Sequence, residues 1–362
     1  MSTQAIASRD VIDADGHVLM EAAPGWLEYF PKAEAERAEA SILDNHRHWY
    51  NRESLDKEEI YQSIRDRNKG AGGWDPAVRL QHMDEEGIGT TVLFGTEITL
   101  NQQAYSPAIC RGYNDWLADF CATDRERLKA VALVPGLDPE AARKELRRCV
   151  EEKGFVACYL KASIGAKRID DGSLDPIYSE AEGLGIPVLY HVPHALKQLV
   201  EENFGYDFIR SHVIHPFSAM LAGLDIVFGG LLERFPTLRL GVMEGQVSWL
   251  PWFASRMEEQ YEEYAGRPGL DPGLARRPSE TLAEGRLFFS CDPDEKYLGF
   301  AASAELGGGL RGEDCILWAS DYPHSDCIFP GALTTLTERE DLTAEQKRKL
   351  TIDNARALLR GR

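Results

Sequence analysis

Short apolar runs alternate with longer amphipathic stretches along almost the whole chain. The runs fall at residues 11–14, 91–94, 130–134, 156–160, 187–190, 238–243, 287–290 and 316–319. Each is too short for a helix and apolar on both faces, as the strands of a buried parallel sheet are. Between them, residues 139–153 place Ala142, Leu146 and Val150 four apart with charged residues opposite, a helix with Asp138 as its predicted N-cap and Pro139 in its first turn. Residues 108–121, 176–184, 219–234, 249–263 and 344–359 read as helices in the same way.

Strand-helix alternation over a whole chain leaves a doubly wound sheet or a closed barrel. No G-x-G-x-x-G follows the first strand, and polar residues stand just beyond the ends of strands one, four, five, six and eight. Those ends meet only if the sheet closes. The expected fold is therefore α/β, a (β/α)₈ TIM barrel of the metal-dependent hydrolase type, forming one domain over residues 1–362. Its main irregularity is the polar, aromatic-rich stretch 21–73 after strand one. So long a connection without structure is unexpected in a compact domain, so it is read as an insertion with its own helices that caps the barrel mouth. Gly307, Gly308 and Gly309 mark a turn before the last strand.

Composition narrows the choice of partners. The chain has 362 residues, 43% hydrophobic and 27% charged, with a net charge of −19 and a mean hydropathy of −0.34. That charge repels polyphosphate, so nucleic acid and anionic membranes are excluded as expected partners and a small-molecule substrate is favoured. The first residues lack a basic segment followed by an apolar one, and the seven cysteines form no C-x-x-C pair. Both features point to the cytoplasm and to reduced thiols.

The first strand ends in Asp13-Ala14-Asp15-Gly16-His17, and alternation sends Asp13, Asp15 and His17 toward one side. Strand five runs into His191, and the last strand into Ser320-Asp321-Tyr322-Pro323-His324. Asp15, His17, His191 and Asp321 together make a nitrogen and oxygen ligand set suited to one divalent ion, zinc first, with manganese or iron as alternatives. A buried ion-pair cluster is the structural reading of the same residues. An aspartate in the position of Asp321 can also move a proton.

The sequence here resembles the amidohydrolase-related family typified by aminocarboxymuconate semialdehyde decarboxylase and the resorcylate- and vanillate-type decarboxylases. The resemblance runs from Val11 to about Leu359. It rests on the ligand motifs and on DPAVRLQHMDEEGI at 75–88, YNDWL at 113–117, GLLERFPTL at 230–238 and SDYPH at 320–324. It implies a barrel in which Asp15, His17, His191 and Asp321 hold the metal, and a subunit that forms a homodimer or higher homo-oligomer, to which the segment 249–252 contributes. It also implies a histidine after strand six that serves as acid or base. This chain departs there, with Met243-Glu244-Gly245-Gln246. Three readings of Glu244 are open: a proton shuttle, a partner that orients His215, or a carboxylate paired with an arginine.

Lys161, at the end of strand four, is expected to anchor a substrate carboxylate, with Arg79 as a second substrate-binding group. His194 and His212 are rim candidates. The leading function is a non-oxidative carboxy-lyase for a small aromatic or unsaturated acid, in which Asp321 or His215 protonates the carbon that loses CO₂. The alternative is a hydrolase of an amide, ester, lactone or C–C bond, in which Asp321 deprotonates water and His324 and Glu244 protonate the leaving group. A barrel that binds a small molecule without turnover is the reading from outside enzymology.

Overall fold

The computed structural model describes residues 9–50, 54–95, 106–161, 167–191 and 208–360. All eight apolar runs are strands: β1 (Ile12–Val18), β2 (Thr90–Gly95), β3 (Leu128–Leu133), β4 (Ala157–Lys161), β5 (Val188–His191), β6 (Leu240–Met243), β7 (Leu287–Cys291) and, after a small hairpin of β8 (Glu305–Gly307) and β9 (Leu310–Arg311), β10 (Ile316–Trp318). Each barrel strand pairs in parallel with the next, in the order β1-β2-β3-β4-β5-β6-β7-β10. Closure comes just beyond β10, where the Asp321 amide donates to the Asp15 carbonyl at 3.0 Å and the His17 amide to the Tyr322 carbonyl at 2.7 Å. The result is the (β/α)₈ barrel that the alternation predicted.

Helix Pro139–Lys153 begins and ends as expected, and the Asp138 carboxylate accepts from the Ala141 amide. Helices Pro107–Cys121, Asp175–Leu184 and Leu250–Tyr264 also fall where the periodicity put them. Two expectations need correction. The helix expected at 219–234 runs over Phe208–Phe228, with His215 and Pro216 inside it, and a separate turn at Leu231–Arg234 follows Gly230 in the left-handed region. The one expected at 344–359 is broken by a π turn at Lys349–Asp353. Proline and a locally widened turn are features that hydrophobic periodicity does not report.

The stretch after β1 carries helices Lys32–Tyr50 and Lys57–Arg67, the second opened by a capping box between Asp56 and Glu59. Its end is tied to the barrel: Leu19 donates to the Gly73 carbonyl at 2.7 Å, and Lys69 to the Pro323 carbonyl at 2.8 Å. Among the described residues no helix is long and apolar enough to cross a membrane.

Candidate metal centre

Strand ends decide what meets at the mouth of a barrel, and β1 ends irregularly. Asp13 pairs with Thr91 but Gly16 with Leu93, so one extra residue is accommodated between them. This bulge alters the simple alternation expected for Asp13, Asp15 and His17. Asp13 turns to the barrel wall, where its carboxylate accepts from Thr91 Oγ1, Ser320 N and Ser320 Oγ, each at 2.8 Å. Gly16 is required by closeness: a Cβ there would lie 2.5 Å from Thr91 Oγ1.

Asp15 and His17, both 1% exposed, form one donor cluster with His191 from β5, and His17 shares a second with Asp321 from beyond β10 and His324. His17 Nε2 lies 3.4 Å from Asp15 Oδ1, 3.2 Å from Asp321 Oδ1 and 3.3 Å from His191 Nε2, which is itself 3.4 Å from Asp15 Oδ1. Ligands around a tetrahedral ion with bonds of about 2.0–2.1 Å stand roughly 3.3–3.4 Å apart. Two ring nitrogens that face each other need something positive between them, a proton or a cation. Asp15 Oδ1 and Asp321 Oδ1 are buried, with imidazole nitrogens 2.9 to 3.4 Å away. The two overlapping triads, Asp15–His17–His191 and His17–Asp321–His324, make this mouth a candidate divalent-metal site.

Charge in the cluster is mutual. Burial alone would raise the Asp15 carboxyl, yet the charges and contacts of His191 and His17 hold it below the usual carboxylate range. The same contest, won by His324 and His17, lowers Asp321. His324 stacks on His17 with ring centroids 4.0 Å apart and places Nδ1 2.9 Å from Asp321 Oδ1. Burial works against its charge, but Asp321 outweighs burial and lifts His324 to about 9.

Glu244 follows β6 and sets Oε2 3.1 Å from His191 Nδ1. His215 acts on it electrostatically from the helix Phe208–Phe228. Lys161 is buried at the end of β4, in register with His191. Arg79 is not brought to the cluster. It is 1% exposed, and its guanidinium donates to the carbonyls of Gly72, His17 and Tyr322 and stacks over the Tyr322 ring. Its N–H groups are occupied by backbone behind β1. His194 and the side chain of His212 lie outside the described residues.

Asp292, just past β7, is a residue that pattern reading missed. Burial, with the charges of Asp321 and Glu295, pushes its carboxyl up to about 7 against the hydrogen bond from Gln246 Nε2 at 3.0 Å. Its place at the C-terminal end of a barrel strand was the available signal. Among the described residues three that are not glycine have positive φ: Glu244 (59°), Gln246 (54°) and Asp321 (56°). All lie at this mouth, where strained backbone commonly serves a site.

Comparison with known proteins identifies the family. The sequence pattern of the amidohydrolase family matches residues 12–361. A 2-amino-3-carboxymuconate-6-semialdehyde decarboxylase of Dictyostelium discoideum is 26% identical over 279 residues, 75% of this chain and 74% of its own. A gamma-resorcylate decarboxylase of Rhodococcus jostii (strain RHA1) is 31% identical over 193 residues, covering 44% of this chain and 57% of its own. Among solved structures, the 5-carboxyvanillate decarboxylase of Novosphingobium aromaticivorans, complexed with manganese and 4-hydroxy-3-methoxy-5-nitrobenzoic acid, superposes with a TM-score of 0.69 at 17% identity, covering 99% of both chains. At that identity the likeness is one of fold. The family pattern spans nearly all of the chain, from the first barrel strand to the last helix, and on that ground the chain belongs to the amidohydrolase family.

Proposed function

We propose that this chain is a non-oxidative carboxy-lyase for a small aromatic or unsaturated carboxylic acid, working with one divalent metal held by Asp15, His17, His191 and Asp321. The observation that carries the reading is that His17 Nε2 lies 3.2 to 3.4 Å from a donor atom of each of the other three residues, in a chain whose relatives named above are decarboxylases. When bound, the ion supplies Lewis acidity and a template for the substrate oxygens. Zinc is the first expectation from the donor set; the manganese of the solved neighbour makes manganese the second ion to test.

The chain's own residues divide the remaining work. Lys161, buried beside His191, anchors the substrate carboxylate. His324 holds a proton 2.9 Å from Asp321 and passes it through that carboxylate to the carbon that bears the substrate carboxylate, or His215 from the facing helix supplies the proton directly. The C–C bond then breaks, its electron pair stays on the ring or enoic carbon, and CO₂ leaves. The added proton is the one the product keeps. The insertion 21–73 covers the mouth in this proposal, a role supported by its ties to Leu19 and Pro323.

A hydrolase is the second reading, favoured by the carboxylate of Glu244 where the family resemblance implies a histidine. One experiment separates the two. Metal-replete protein is offered a panel of hydroxybenzoates, enoic acids and lactones in H₂¹⁸O. CO₂ release with no ¹⁸O in the organic product is the expected result. Incorporation of ¹⁸O without CO₂ would replace the lyase by the hydrolase, and no turnover of either kind would return the chain to a binding role.

A further inference from the structure

Glu244 occupies the position at which an acid or base is expected, yet its carboxylate is turned to the back of a candidate ligand. His191 offers two ring nitrogens. Its Nε2 is in the donor cluster, 3.4 Å from Asp15 Oδ1 and 3.3 Å from His17 Nε2. Its Nδ1 points away from the cluster and meets Glu244 Oε2 at 3.1 Å. A histidine that gives the Nε2 lone pair to a cation must carry its proton on Nδ1, and a carboxylate there fixes tautomer and ring orientation and raises ligand basicity.

The turn that carries Glu244 is bolted in this pose. The Glu244 amide, at φ 59°, donates to Ser290 Oγ at 2.7 Å. Two residues on, Gln246 holds Asp292, and the Val247 amide donates to Glu295 at 2.9 Å. Three tethers to the segment from Ser290 to Glu295 therefore fix the backbone from which the Glu244 carboxylate reaches His191.

We infer that Glu244 is a positioning residue, the carboxylate that orients the ligand His191 through Nδ1, and that the strand-six position in this chain tunes the metal instead of transferring the proton. The inference rests on the metal reading given above. Through it, Ser290 positions Glu244, Glu244 positions His191, and the ion feels a change made two side chains away.

The test compares the wild type with Glu244→Gln, which keeps an acceptor oxygen without the charge, and Glu244→Ala, which removes both. Dissociation constants for manganese and zinc are measured by chelator competition, and the visible spectrum of the cobalt-loaded protein reports the ligand field directly. Glu244→Ala should weaken metal binding by about 10- to 100-fold and shift the cobalt bands, with Glu244→Gln between it and the wild type. Thermal melting of the metal-free proteins identifies any variant that fails to fold, and Glu244→Gln, nearly isosteric and partly exposed, is the one on which the decision rests. Unchanged metal affinity and cobalt spectrum in Glu244→Gln, with turnover abolished, would make Glu244 the proton carrier and overturn the inference while leaving the metal reading intact. A wild type that takes up no metal would overturn both, and the wild-type measurement alone would show it.

Discussion

The two walls of the candidate site are built differently. On the β1 and β10 side, Asp15, His17 and Asp321 are set by bonds to backbone. The Asp321 amide is on the Asp15 carbonyl, the His17 amide on the Tyr322 carbonyl, and Asp13 holds Ser320 by both its amide and its hydroxyl. Arg79 adds a third layer by gathering the carbonyls of His17, Gly72 and Tyr322. On the β5 and β6 side, His191 has one carboxylate behind it. The first wall is knit to the backbone, so damage there falls on the fold; in the second, His191 has Phe94 and Tyr159 against its ring but one carboxylate at Nδ1, so damage to that carboxylate falls on the metal.

The largest effect should come from Asp321→Asn, at the point where the first wall meets the chemistry. It removes a candidate ligand charge and a proton acceptor together, and turnover of any substrate found in the panel should fall by about 10³-fold. Steady-state kinetics at saturating metal checks this; a loss below tenfold would remove Asp321 from the reaction.

Asp13→Ala probes the wall itself. It leaves Ser320 N, Ser320 Oγ and Thr91 Oγ1 without their buried acceptor, and the stability lost should be about 3 kcal/mol. Urea unfolding of the metal-free protein measures it. An unchanged midpoint would mean that the seam does not depend on this carboxylate.

The smallest effect concerns Asp292, on the β7 side. Its carboxyl is raised to about 7, so the folded state favours the protonated form. The fold then loses stability as pH rises from the ordinary carboxylate value toward 7, and stays lower above it. Asp292→Asn should melt about 1–2 °C higher than the wild type at pH 8 and match it at about pH 3, below both values. Equal shifts at the two pH values would show that Asp292 is not held neutral by its surroundings.

These contrasts also mark what could be read from sequence. Every barrel strand was legible, because a strand buried on both faces is a continuous apolar run. The helix Pro139–Lys153 was legible to its ends, because Asp138-Pro139 and Gly154 punctuate it. The clustering of Asp15, His17 and His191, and of His17 with Asp321, followed from placing polar residues at strand ends and closing the sheet. The bulge after Asp13 was not legible, since a pattern of alternation assumes even register. Nor was the burial of Arg79: an arginine near a site looks like a substrate ligand until backbone carbonyls are seen to take its N–H groups. The partner of Glu244 lies 53 positions away in the chain, on another strand, and pairing of that kind is a property of the closed barrel alone.

The seam that closes the barrel has a consequence for how the protein is made. Asp13 and Ser320 are 307 residues apart, yet they lock the two strands that carry three of the four candidate ligands. During synthesis the first strand emerges early and has no closing partner until almost the entire chain has followed. Contacts of such separation form late and slowly. A ribosome-bound or truncated chain that stops before Ser320 would therefore hold His17 and His191 but not Asp321 or the seam. Loading with metal belongs after release of the finished chain, and metal uptake by refolding protein becomes a reporter of the final closing event.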